Sequence, residues 1–181
     1  MEKVLALGLA IAVSLCFAGP VSAASNQASD GGSTQVRLNF QIQIPTLLHL
    51  RVGSAGAVVD TITFNVTDVP GTGAVQSTSS GGNLVPVHVR AFVPAGSTIT
   101  LSADSSTPLS DRGNSIPFSE ISWVATDDFN SGRFNDTANQ QLNQFTGSNH
   151  KQGTYTFYYD NDRYYPGGTY RGTAIYTLSS P

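Results

Sequence analysis

Residues 36–44 alternate without a break: Val36, Leu38, Phe40, Ile42 and Ile44 are apolar, and Arg37, Asn39, Gln41 and Gln43 between them are polar. A two-residue period sends successive side chains to opposite faces of an extended chain, so the segment predicts a strand with one buried face, stopped at Pro45. Further strands are predicted over residues 47–52, 61–67, 84–93, 98–103, 121–126, 154–159 and 169–179. Between them stand turn-forming runs such as Gly53-Ser54-Ala55-Gly56, Pro70-Gly71-Thr72-Gly73, Ser80-Gly81-Gly82-Asn83, Pro94-Ala95-Gly96 and Pro166-Gly167-Gly168. Eight short strands punctuated this way predict an all-β, antiparallel sandwich in a single domain. Pro86, which has no N–H to give a ladder, predicts an edge position or a bulge early in its strand.

Residues 127–152 break the pattern. Nine of these 26 residues are Asn or Gln, and Phe129, Phe134, Leu142 and Phe145 are spread among them. The expectation is a long surface loop held down by its apolar residues, with a short helix capped by Asp136 and running to Phe145.

The first residues read as an export signal. Lys3 supplies the positive start, residues 4–17 an apolar run, and Val21-Ser22-Ala23 a small-residue cleavage pattern. That run is too short to span a bilayer, and no later segment approaches the length required. The expected organisation is a signal peptide over residues 1–23, a flexible leader over 24–34 and a sandwich domain over 35–181, in a protein that is secreted, periplasmic or at the cell surface. Cys16, the only cysteine, lies inside the apolar run, so the mature chain has none and depends on its core rather than on disulfides.

Charged side chains make up 12% of the chain, the net charge is −3, and the arginines are scattered singly. No basic stripe exists to follow a phosphate backbone, and with two Lys and two Glu a helical bundle is equally out of reach, so neither nucleic acid nor a membrane span is expected. His49, His88 and His150 stand far apart in sequence, in no metal-binding spacing, and no nucleophile elbow, phosphate loop or dinucleotide fingerprint occurs. The expectation is therefore no enzyme, no cofactor and no metal. Asp160-Asn161-Asp162 reads as a turn, because it supplies only part of a calcium shell. All seven tyrosines fall between Tyr155 and Tyr176. Cross-strand packing accounts for most of them, while Tyr158, Tyr164 and Tyr165 fit alternation least and form a candidate ligand surface.

Two segments carry a family likeness. One is the alternating ribbon 36–44 shortly after a signal peptide. The other is Pro166-Gly167-Gly168-Thr169-Tyr170-Arg171-Gly172-Thr173-Ala174-Ile175-Tyr176-Thr177-Leu178, a terminal strand whose Gly168 is fourteenth from the end. Together they resemble subunits of chaperone-usher pili, including the spore-coat-U-like branch. Ser180 stands where many pilins have an aromatic residue, and the disulfide common in such subunits cannot form. The resemblance implies an incomplete immunoglobulin-like sandwich that assembles by strand exchange, with copies of itself or related subunits, a periplasmic chaperone and an outer-membrane usher as partners. It implies Val36, Leu38, Phe40, Ile42 and Ile44 as inserted side chains, and Gly168, Tyr170, Tyr176 and Leu178 as the terminal strand. Burying five such side chains is worth roughly 7 to 15 kcal/mol gross, which matches the whole stability of a typical domain, about 5 to 15 kcal/mol. Whether the ribbon folds back into its own domain or enters a neighbour stays open at this point. The alternative is a self-complete secreted sandwich that binds carbohydrate or another surface ligand.

Overall fold

The computed structural model describes residue 27 and residues 30–56, 59–79 and 82–181. The expected signal peptide, Cys16 and part of the leader lie outside the described residues. Thirteen strands occur among the described residues: β1 (Leu47–Val52), β2 (Ile62–Thr63), β3 (Val75–Gln76), β4 (Thr78–Ser79), β5 (Val85–Phe92), β6 (Thr98–Asp104), β7 (Leu109–Asp111), β8 (Asn114–Ile116), β9 (Ile121–Ala125), β10 (Gly132–Arg133), β11 (Gln140–Thr146), β12 (Asn149–Tyr159) and β13 (Ile175–Ser179). A 3-10 turn at Phe118–Glu120 precedes β9.

The fold is all-β and its ladders are antiparallel. One sheet runs β1-β5-β12-β9-β10, with β3 on the far end of β12, and a second runs β11-β6-β13. Small pairs β2-β4 and β7-β8 complete the set. The folded unit that carries these sheets spans Ile44–Pro181. Alternation explains the layering: Val85, Val87, Val89 and Ala91 of β5 and Tyr155, Phe157 and Tyr159 of β12 point inward, opposite Ile99, Leu101 and Ala103 of β6. Each fully buried side chain of this size contributes roughly 1.5 to 3 kcal/mol. Aromatic rings fill the centre, with Trp123 at 5.0 Å from Phe134 and 5.9 Å from Tyr155. The indole Nε1 donates to Asn130 O at 2.8 Å, so the one polar group of that ring is satisfied.

Several expectations need correction. Residues 36–44 form no strand in the single chain, because a strand needs a partner for its N–H and C=O groups and none is paired to them among the described residues. Residues 127–152 are not a loop with a helix: they contribute β10, β11 and the first part of β12, with Gly147 and Ser148 turning the corner from one sheet to the other. A bulge between Gln141 and Asn143 inserts Leu142, so Leu142, Asn143 and Phe145 all reach the core side, a spacing that imitates a helix in sequence. Asp136 caps no helix; it sits at φ 59° and accepts the Ser119 N–H at 2.9 Å.

Pro86 lies in an interior strand rather than at an edge. Its carbonyl accepts the Gly53 N–H at 2.8 Å, so its nitrogen faces the end of β1, where no ladder donor is needed, and the β12 side is undisturbed. The last strand is shorter than expected, since residues 169–174 hold only the bridge between Ser110 and Arg171.

Candidate functional site

The alternating ribbon keeps its apolar side chains in water. Val36 and Leu38 are exposed, Phe40 is 88% exposed, and Ile42 and Ile44 are similarly bare. Five large apolar groups exposed within nine residues form a patch of the kind that marks an interaction site.

Within the sandwich, the core is sealed at its middle and thin at one side. β1 forms the outer edge of the first sheet and β13 that of the second, and their Cα atoms come within 8 Å without a ladder between them. Leu50 and Val52 on β1, and Ala174, Tyr176 and Leu178 at β13, pack on the core but stay only half-buried, whereas Val87, Val89, Ile99 and Leu101 one strand further in are fully buried. Among the described residues β13 bonds to β6 alone, through the register Tyr176 opposite Ala103 and Leu178 opposite Leu101, so its other edge faces no described strand. The sequence pointed to Tyr176 and Leu178; Leu50 and Val52 on the facing strand went unnoticed as part of this seam. Their signal was the apolar alternation of Leu48, Leu50 and Val52 next to the ribbon.

Gly168 and Tyr170 belong to the approach to β13 rather than to β13 itself. Gly168 rests directly against the Asp111 carboxylate, which a side chain at that position would have to push aside. The Tyr170 hydroxyl donates to Pro166 O at 2.8 Å while its ring packs on the core. Burial raises the Tyr176 hydroxyl well above the ordinary phenol value, with a smaller push from Tyr155.

The three candidate ligand-surface tyrosines do not act alike. Tyr164 is 84% exposed, Tyr158 is half-buried on β12 opposite Ser122 and Gln76, and Tyr165 leans on the core. Burial and the neighbouring Glu120 raise the Tyr165 hydroxyl. No ring contact joins these three among the described residues. At Asp160-Asn161-Asp162 the chain turns at Asn161, φ 50°, whose carbonyl accepts the Gly71 N–H at 2.8 Å. Asp160 pairs with Arg133, and the buried Glu120 pairs with Arg163 at 3.3 Å. Tyr159, beside this acidic group, has its hydroxyl pushed up to about 12, chiefly by burial.

The histidines, remote in sequence, share one surface. His49, His88 and His150 all lie on the outer face of β1-β5-β12. Among the described residues no group of three His, Cys, Asp or Glu side chains is placed to hold a metal ion, and no helix is long and apolar enough to cross a membrane. Comparison with protein-family models, with curated proteins and with solved structures finds no match.

Proposed function

We propose that this chain is a structural subunit of a surface fibre and assembles by β-strand donation, the ribbon 36–44 of one copy entering the seam between β1 and β13 of the next. The observation that carries the reading is the ribbon itself: a perfect two-residue alternation whose five apolar side chains are all exposed in the single chain. Covering such a segment is favourable, and an exposed sheet edge above a half-buried core can cover it with both side chains and main-chain hydrogen bonds. The half-burial of Leu50, Val52, Tyr176 and Leu178 supports the location. The immunoglobulin-like strand order, the periplasmic chaperone and the outer-membrane usher come with the resemblance to chaperone-usher subunits and belong to the same proposal.

The test removes the ribbon and returns it. A chain beginning at Thr46 is expected to stay monomeric because it has no strand to donate, and to bind and be stabilised by a peptide covering residues 33–45, whereas the same peptide carrying Phe40→Asp is expected to fail. A soluble, cooperatively melting monomer from the shortened chain, indifferent to the peptide, would end the strand-donation reading.

A further inference from the structure

The outer face of β1-β5-β12 gathers cationic and cation-forming side chains from three strands. Register places His49 beside Arg90 and Arg90 beside His150, and in the next row places Arg51 beside His88 and His88 beside Gln152. All three histidines of the chain and two of its seven arginines thus occupy two adjacent rows, and no carboxylate shares these rows. In a protein of net charge −3, this concentration is local and opposite in sign to the whole.

The groups interact: burial, then Arg51, Arg90, His150 and His49 in that order, lowers the His88 imidazole from its ordinary value. Asp128 stands at the margin of the face and senses His150, but its carboxylate is engaged by Lys151 Nζ at 2.7 Å and the Gln152 N–H at 3.2 Å. Arg51 Nε is buried without a hydrogen-bond partner among the described residues.

At the Arg90 end the face opens into a recess of about 400 Å³ lined by Arg90, Ala91, Phe92, Ser148, Asn149 and His150. Phe92 is half-exposed there and offers an aromatic surface next to a planar guanidinium. A guanidinium fork matches a carboxylate in two parallel hydrogen bonds, and an aromatic ring accepts the apolar face of a sugar.

We propose that this face binds a carboxylate-bearing polysaccharide of the polyuronate type, Arg90 and Phe92 seating one uronate residue in the recess and the histidines strengthening the grip in acid. Histidine is the side chain that changes charge between about pH 5 and 8, so acidification adds positive charge to a face already carrying two arginines while a polyuronate keeps most of its own negative charge. The surface shares β1 with the seam but uses the opposite face of that strand, His49 and Arg51 rather than Leu50 and Val52, so its success or failure leaves the assembly reading where it stands.

The test is equilibrium binding of the whole protein to polygalacturonate, with neutral dextran, dextran sulfate and anionic phospholipid vesicles as comparisons. Binding is expected to be roughly tenfold tighter near pH 5 than near pH 7.5, as added surface charge at moderate salt allows. The double variant His49→Gln/His150→Gln is expected to lose most of that acid enhancement while keeping the weaker neutral-pH binding. Arg90→Gln is expected to lose binding at both pH values, with an unchanged melting curve showing that the fold is intact. Should Arg90→Gln unfold, Phe92→Ser serves as the second probe of the recess. The proposal is overturned by absent or pH-independent binding to polygalacturonate, by binding that survives loss of the recess, or by equal binding to dextran, dextran sulfate or vesicles.

Discussion

At position 153 the chain has no room for a methyl group. A Cβ on Gly153 would come within 2.5 Å of Thr126 O and 2.9 Å of the Phe129 ring, and Thr126 is itself fixed by its N–H bond to Thr154 O at 3.1 Å. Gly153→Ala therefore forces backbone or ring movement, and a destabilisation of about 1 to 3 kcal/mol is expected in urea denaturation. Two residues along, Tyr155 is fully buried and its hydroxyl finds no hydrogen-bond partner among the described residues. An unpaired buried hydroxyl costs desolvation without return, so Tyr155→Phe is expected to leave stability unchanged or to raise it by up to about 1 kcal/mol in the same assay. His88 illustrates the opposite face of the sheet. Its folded-state proton affinity is lowered, first by burial and then by Arg51 and Arg90, so below the ordinary histidine value of 6.5 the unfolded chain binds the proton more readily than the folded one. Stability tied to His88 is thus present above about pH 6.5 and is lost as pH falls from there to the lowered folded value. Melting temperatures measured between about pH 7.5 and 5 should fall less steeply in His88→Gln than in the parent. None of these three effects can be read from residue types alone, because each depends on what another strand places opposite.

The hairpin of β7 and β8 shows what an element demands of its turn. Arg112 and Gly113 join the two strands with φ of 47° and 87°, the two positive values that a tight hairpin with right-handed twist requires. Gly113→Ala puts a side chain into that left-handed region and is expected to cost about 1 kcal/mol, while Gly113→Asn should cost less, both measured by thermal melting. Asp111-Arg112-Gly113-Asn114 carried that turn in the sequence, but the flanking strands of three residues each were too short to show a period. Longer elements were legible. Leu47–Val52 stands as predicted, and the strands around Val87, Leu101 and Trp123 differ from expectation by a residue or so at their ends. The Asn- and Gln-rich segment was not, because polar residues occupy the outward positions of β11 and the bulge at Leu142 disrupts the alternation that would have revealed a strand. The candidate seam was half legible: the resemblance to chaperone-usher subunits implied Tyr176 and Leu178 in a terminal strand, but their nearness to β1 is a matter of sheet order. The gathering of His49, His88 and His150 was invisible for the same reason, since it arises from the antiparallel register of three strands brought together from across the chain.

For the molecule as a whole, the decisive contrast is between a core closed around β5 and β6 and a ribbon that, among the described residues, pairs with no strand and keeps its apolar side chains exposed. Amide hydrogen exchange separates the two, because protection requires a hydrogen bond that opens rarely. In isolated single copies, the amides of residues 36–44 are expected to exchange at the rates of an unstructured chain, whereas those of Val87, Val89, Ile99 and Leu101 exchange only through large-scale opening. On assembly, ribbon amides should become protected, together with amides of β13 that now face an open edge, while β5 changes little. Since a ribbon in a sheet bonds through every second residue on each side, protection by a single edge should alternate along 36–44, and uniform protection would mean that both β1 and β13 are bonded to it. Replacing Phe40, the most exposed of the five, by Asp should abolish the protection and the assembled form together, since a carboxylate cannot be buried there unpaired. Assemblies that form with the ribbon still exchanging freely would show that copies join through some other surface.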